Sequence, residues 1–72
     1  MANVIYLKDG QSPPTDERFC LIIASPGIGG SEMTQHSLGI TMKIEPALVP
    51  MEIAGLSDKG VKTIYVQGMP DA

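Results

Sequence analysis

The glycine-rich segment Ser25–Glu32 comes closest to a chemical motif. Three of the chain's eight glycines lie within four residues: Gly27, Gly29 and Gly30. Successive backbone N–H groups of such a segment can converge on an anion. However, Glu32 follows the glycines, no lysine or arginine lies between Arg18 and Lys43, and neither GxxxxGK[ST] nor GxGxxG is present. We therefore predict that the segment is a connecting loop. The functional alternatives are contact with a partner and binding of an anion.

Two apolar side chains favour protein contact over anion binding at this loop. Ile28 lies between the glycines, and Met33 follows directly after Glu32. An aliphatic side chain on a glycine-flexed loop tip is exposed in a lone monomer, and another chain would cover it. We therefore predict one set of partner- or ligand-binding residues: Gly27, Ile28, Gly29, Gly30, Ser31, Met33 and His36.

His36 is the single histidine, and its ordinary pKa lies near neutrality. By residue type alone, Ser31, His36 and Glu32 could form a Ser–His–acid catalytic triad. The nucleophile elbow G-x-S-x-G is absent, and a chain of 72 residues has few residues with which to enclose a substrate. We therefore predict a solvated loop histidine, no catalytic residues and no enzymatic activity.

The chain has a single cysteine, Cys20. Because side chains alternate between the two faces of a strand, Cys20 would share one apolar face with Ile22 and Ala24. It is predicted to be a small core residue and cannot form a disulfide within the chain. One cysteine and one histidine do not complete a structural zinc site. The carboxylates show no D-x-D-x-D spacing for calcium. The sequence thus predicts neither a metal nor a cofactor.

The charge balance argues against nucleic acid as a partner. The net charge is −3, and no two of the five basic residues are adjacent, whereas nucleic-acid binding needs a basic patch. The most apolar run, Phe19–Ala24, is far shorter than the roughly 20 residues that span a bilayer. We predict a cytoplasmic protein that binds no membrane, located in the host cytoplasm if a virus encodes it.

Four segments have the residue pattern of a strand and could position the candidate site residues: Asn3–Lys8, Phe19–Ala24, Leu38–Ile44 and Val61–Gln67. The third has strict alternation, since Leu38, Ile40, Met42 and Ile44 are apolar and the residues between them are not. Within it, Gly39 indicates a bulge or a close backbone approach. The polar stretch before Phe19 contains two prolines and reads as a surface connection.

The segment between Glu45 and Leu56 has two interpretations. Val49, Ile53 and Leu56 have helical spacing, but Pro50 and Gly55 disfavour a helix. The turn-like residues 57–60 lead into a strong strand, so we favour a hairpin that pairs residues 51–56 with residues 61–67. On that strand Glu52 would face outward, towards a lysine of a second copy. A short helix at residues 47–58, within an α+β fold, is the alternative.

The pattern as a whole predicts a single all-β domain over residues 1–72, a five-stranded antiparallel meander, small barrel or half-sandwich. So small a core is marginal, which favours a homo-oligomer. We predict a non-enzymatic protein-binding module, a small regulator, inhibitor or phage-type accessory protein, that acts through a strand edge or the glycine-rich loop. The alternatives are an oligomeric binder of a nucleotide or other anion at Gly27–Ser31 and a structural virion component.

Overall fold

The described part of the chain forms a mixed five-stranded sheet with one α-helix against it. The computed structural model describes residues 2–8, 10–14 and 16–69. The strands are β1 (Asn3–Leu7), β2 (Phe19–Ala24), β3 (Glu32–His36), β4 (Gly39–Ile44) and β5 (Thr63–Gln67). A 3₁₀ turn at Pro46–Leu48 leads into the helix α1 (Val49–Asp58). The prediction of a β-rich fold is confirmed.

The strand order is β1-β5-β2-β4-β3, and the sheet is open, with β1 and β3 at its edges. Neighbours from β1 to β4 run parallel, and only the β3–β4 pair among the described strands is antiparallel. The predicted antiparallel meander or barrel is therefore wrong. Parallel strands need long crossover connections, and the segment that carries α1 provides the one from β4 to β5.

The predicted strand at residues 51–56 is also wrong, because these residues belong to α1, as the α+β alternative expected. Pro50 lies in the first helical turn, where its missing N–H removes no helical hydrogen bond. The helix ends where Gly60 has a φ of 89°. There Val61 N–H donates to Leu56 O and Gly60 N–H to Ser57 O, the two bonds of a Schellman cap.

One sheet face and α1 together enclose the core. Its buried members are Cys20, Ile22, Ala24, Met42, Ile44, Val49, Leu56, Ile64 and Val66. Full burial of an aliphatic side chain contributes roughly 1.5–3 kcal/mol, so Ile22, Ile64 and Val49, all fully buried, matter most. The predicted core position of Cys20 and the inward alternation of Ile40, Met42 and Ile44 are confirmed.

The opposite sheet face carries Leu21 and Tyr65, which are register partners and are both buried. The β1–β2 crossover reaches this face, since Asp16 and Glu17 act electrostatically on Tyr65. Parallel crossovers are nearly always right-handed. The β1–β2 and β4–β5 connections run across the sheet in opposite directions, so that rule puts them on opposite faces. The helix therefore covers one face and the β1–β2 segment part of the other.

A two-residue turn, Ser37-Leu38, joins β3 to β4 and begins the β4 strand at Gly39. Gly39 has a φ of 145°, and a Cβ at this position would overlap the carbonyl oxygen of Phe19. Leu38 O accepts a hydrogen bond of 2.9 Å from Phe19 N–H. The close backbone approach predicted at Gly39 is confirmed, and it fixes the hairpin against β2.

Candidate functional site

The glycine-rich loop lies at the carboxyl end of β2 and is locally ordered by a turn. Ile28 N–H donates to Ser25 O at 3.3 Å, and Gly27 has a φ of 80°. Proline followed by a glycine of positive φ is the pattern of a type II turn. Ser25 N–H also donates to Ile44 O at 2.7 Å, so the start of the loop is attached to the end of β4.

The loop donates one backbone N–H to a carboxylate of its own chain. Gly29 N–H lies 3.3 Å from Oε1 of Glu45, the residue that follows β4. A glycine-rich loop offers N–H groups to anions, and here the anion is an intramolecular side chain. An external phosphate at this place would have to displace Glu45. Ile28 is half-buried rather than exposed at the loop tip.

Met33 and His36 do not lie in this loop. Both belong to β3, a strand that the sequence pattern did not predict. Met33 pairs with Met42, and His36 pairs with Gly39 at the hairpin turn. The predicted site residues are therefore divided between two ends of the sheet, with Gly27–Ser31 before the start of β3 and His36 at its end.

His36 is held in one orientation by two hydrogen bonds. Its Nδ1 accepts from Leu38 N–H at 3.3 Å, which leaves the proton on Nε2, and Nε2 then donates to Thr41 Oγ1 at 3.0 Å. The ring also lies 5.5 Å from the ring of Phe19, centroid to centroid. The predicted solvated histidine is exposed, as expected, but it is fixed on the sheet rather than free in a loop.

An open pocket of about 480 Å³ lies beside His36, at the amino ends of β2 and β4. Its lining residues are Arg18, Gln35, His36, Gly39 and Ile40. The lining thus combines a guanidinium, an amide and an imidazole with no carboxylate. These groups suit a carboxylate ligand, since guanidinium and amide N–H groups donate to its oxygens.

Arg18 and Gln35 were not among the predicted site residues. Arg18 immediately precedes a strand, but nothing in the local sequence places it beside residues 35–40. Gln35 is one of three uncharged residues in the middle of β3. That segment has a single apolar side chain, Met33, and therefore lacks the alternation that would have predicted a strand.

The outer edge of β3 presents unpaired backbone groups, because β3 is the last strand of the sheet. The two-residue turn makes His36 and Gly39 a hydrogen-bonded pair, and such pairs alternate along an antiparallel ladder. Glu32, Thr34 and His36 therefore direct their peptide groups towards β4. The N–H and C=O groups of Met33 and Gln35 point outward.

Nothing within β3 shields this edge. All five residues are exposed, and Met33 is 63% exposed. The register with β4 is continuous from Glu32–Lys43 to His36–Gly39, so it contains no bulge. Native edge strands are usually protected by lysine, proline, a bulge or a covering element. The β3 strand has none of these devices and carries one carboxylate at its start.

The titratable groups with altered pKa values lie away from this edge. Burial, and secondarily the charge of Glu52, raises the pKa of the Cys20 thiol. Glu52 thus acts on the core side from the helix, which corrects the predicted outward position on a strand. Burial, followed by the carboxylates of Glu17 and Asp16, raises the pKa of the Tyr65 phenol.

Among the described residues, no three histidine, cysteine or acidic side chains are grouped as a metal site would require. Within the same part of the chain, no helix has the length and apolar character needed to cross a bilayer. No family model matches the chain, and neither the comparison with curated proteins nor that with solved structures finds a match.

Proposed function

We propose that this chain is a non-enzymatic protein-binding module that pairs an extended segment of its partner with the outer edge of β3. The observation that carries this is the unshielded edge, at which five consecutive residues are exposed on a terminal strand. Strand addition gains affinity from main-chain hydrogen bonds and specificity from the side chains on either side. It therefore needs no large apolar surface, which a chain of 72 residues can hardly offer.

The two faces of β3 would contribute different contacts to an added strand. Met33 and Gln35 share a face with Met42 and Ile40, on the side of the helix. The side chains on the opposite face are polar: Glu32, Thr34 and His36. The pocket beside His36, which contains Arg18, lies at the end of the same strand. A partner segment would thus meet one apolar side chain and one cationic pocket along a single edge.

The β3 edge is better suited to this role than the β1 edge. Val4 and Leu7 of β1 are half-buried, whereas no side chain of β3 is. An added strand next to β3 can therefore place side chains on both faces without rearranging the domain.

The finer functional classes stay proposals, and strand addition is compatible with them. A small regulator or inhibitor can act by occupying a strand or edge that its target uses elsewhere, and a cytoplasmic location would suit that role. The phage-type accessory role and the structural virion component stay predictions. The anion-binding alternative at Gly27–Ser31 has less support, because Glu45 already accepts a hydrogen bond from that loop.

Selection from a displayed library of linear peptides tests strand addition. We expect enriched peptides to bind the wild type and to lose affinity when alternate peptide amides are N-methylated, which removes main-chain donors. Gln35→Pro removes an outward N–H of β3, and proline is tolerated at edge strands. We expect this variant to lose at least tenfold in affinity, since one to two hydrogen bonds and a rigid kink are involved.

Tyr6→Pro is the matched control on the opposite edge. Asn3 N–H donates inward to Lys62 O, so by alternation the N–H of Tyr6 points outward. This variant should bind the selected peptides as the wild type does. Failure of a monomeric wild type to enrich any peptide, or equal affinity of the wild type and Gln35→Pro, would contradict strand addition at β3.

A further inference from the structure

We infer that the segment which pairs with β3 is the β3 strand of a second copy, an inference that rests on the proposed function and names its partner. The two strands would run antiparallel about a twofold axis, joining two sheets edge to edge. Two observations support this. One register gives every outward peptide group of β3 a hydrogen-bond partner, and the same register brings the Glu32 carboxylate of each copy to the pocket of the other that contains Arg18.

The register follows from the hydrogen bonding of β3. Its outward peptide groups belong to Met33 and Gln35, which lie two residues apart. When Met33 is opposite the partner's Gln35, both outward residues of both strands form hydrogen-bonded pairs. Moving the strand by two residues leaves one outward residue of β3 without a partner inside the other β3. The axis then passes between Thr34 and the partner's Thr34.

This register creates a row of threonines on the face opposite the helix. Thr34 is already the register partner of Thr41. In the dimer, Thr34 also faces the partner's Thr34 in a non-hydrogen-bonded pair, in which side chains lie closest. Cross-strand threonine pairs are among the favourable pairs of antiparallel sheets. The row would therefore cross both copies without a buried charge.

The carboxylate at the start of β3 lies at a cationic pocket of the second copy in the same register. Glu32 lies opposite the partner's His36, at the pocket that contains Arg18 and Gln35 and no carboxylate. The second copy thus supplies the acidic group that this pocket lacks. By symmetry, the partner's Glu32 reaches the equivalent pocket of the first copy. The permanent cation at that pocket is the Arg18 guanidinium, and guanidinium–carboxylate hydrogen bonds are among the strong ones.

The exposed methionine gains a covering contact as well. Met33 is 63% exposed in the single chain. It would lie opposite the partner's Gln35 and diagonal to the partner's Met33, within reach of long side chains. The largest exposed apolar side chain of β3 would then become part of an interface.

Sedimentation equilibrium and native mass spectrometry on the full chain test this dimer. We expect the wild type to be dimeric at about 100 µM, where a Kd in the micromolar range gives mostly dimer. Thr34→Lys places two lysines opposite each other across the axis, and like charges in that position are destabilising. We expect its dimer Kd to rise by roughly tenfold or more. Thr34→Val keeps the β-branched shape and should stay dimeric.

Charge exchange tests the register independently. Glu32→Lys should weaken the dimer, because a lysine would then lie at the pocket that contains the partner's Arg18 and the partner's His36. Adding His36→Glu restores an opposite pair in the same position and should restore dimerisation at least in part. Circular dichroism identifies any variant that fails to fold. If a charge-exchange variant does not fold, the dimer Kd of Thr34→Lys tests the β3–β3 pairing.

The outcomes separate this inference from the proposed function. A monomeric wild type that still loses peptide affinity in Gln35→Pro overturns the second copy as partner and keeps strand addition. A monomeric wild type with no selected peptide overturns both. A dimer that Thr34→Lys and Glu32→Lys leave unchanged, but that Tyr6→Pro dissociates, overturns the β3 register in favour of the β1 edge.

Discussion

The two edges of the sheet are built differently, although neither has a charged residue in its middle. Strand β1 is tied to the rest of the domain at its start, where Asn3 N–H donates to Lys62 O at 2.7 Å and Ala2 N–H to Ser57 Oγ at 3.3 Å. Strand β3 is attached by a two-residue turn and by its pairing with β4, and all of its side chains are exposed.

The difference lies in where each edge obtains its stability. The side chain of Val4 packs against the core cluster, so β1 gains from apolar burial. All side chains of β3 are exposed, and Met33 is the register partner of the core residue Met42. The position of β3 depends on main-chain pairing and on the close approach of Gly39 to Phe19. An edge that owes little to burial remains available to another strand, which is why we place binding at β3.

Removal of core packing beneath β1 should have the largest effect. Ile64 is fully buried and is the register partner of both Val4 and Cys20. We expect Ile64→Ala to lower the free energy of unfolding by about 2–5 kcal/mol, because it leaves a cavity. Urea denaturation measures this. Ile5→Ala on β1 is the control, since Ile5 is 38% exposed, and equal losses in the two variants would contradict a core-supported β1.

A side chain at Gly39 should disturb the β3 edge selectively. Gly39→Ala introduces a Cβ that overlaps Phe19 O at a φ unfavourable for alanine, and such strain costs about 1–3 kcal/mol. Amide hydrogen exchange should show protection lost in β4 and at the hairpin while β1 keeps its protection. Gly30→Ala is the matched control, because nothing lies within 4 Å of its Cβ. Uniform loss across both edges would argue that the hairpin is not a separate unit.

High pH should produce the smallest effect, on the face opposite the helix. The pKa of Tyr65 is raised in the folded state, so folding favours the protonated phenol. This stability is fully present below the ordinary pKa of 10.0 and is lost as pH rises through the folded value. The free energy of unfolding should therefore fall above about pH 10, and less so in Tyr65→Phe.

Tyr6→Phe serves as the control for this titration, because Tyr6 is 58% exposed. Burial also raises the pKa of Cys20, which contributes with the same sign to the wild type and to both tyrosine variants. The difference between the variants therefore isolates Tyr65. An unchanged slope in Tyr65→Phe would show that burial and Glu17 do not stabilise the neutral phenol.

Much of the strand pattern follows from side-chain alternation. The predicted segments at Phe19–Ala24 and Leu38–Ile44 became β2 and β4, with Cys20 and Met42 buried as expected. The residues of Leu38–Ile44 alternate with period two, which indicates one buried face. Phe19–Ala24 is apolar on both faces, and its short length between charged residues and Pro26 indicates a strand. The exposed position of Met33 was also anticipated, although not its place on a strand.

Two elements could not be assigned from local residues. The sequence around Gly60 fits both a three-residue hairpin turn and a Schellman cap, because each ends with a glycine of positive φ. Gly60 therefore indicates that the chain reverses direction there, but not whether a strand or a helix comes before it. Strand β3 has no apolar face of its own, so its conformation comes from pairing with β4 rather than from burial.

Residue type and local spacing were enough to predict the apolar strands and the core position of Cys20, and they limited Gly39 to a bulge or a close backbone approach. The tertiary structure decided the parallel strand order, the helix over the core and the separation of His36 from the glycine-rich loop. It also brought Arg18 beside Gln35. These features depend on which strands become neighbours, and that choice is made by packing between segments distant in the chain.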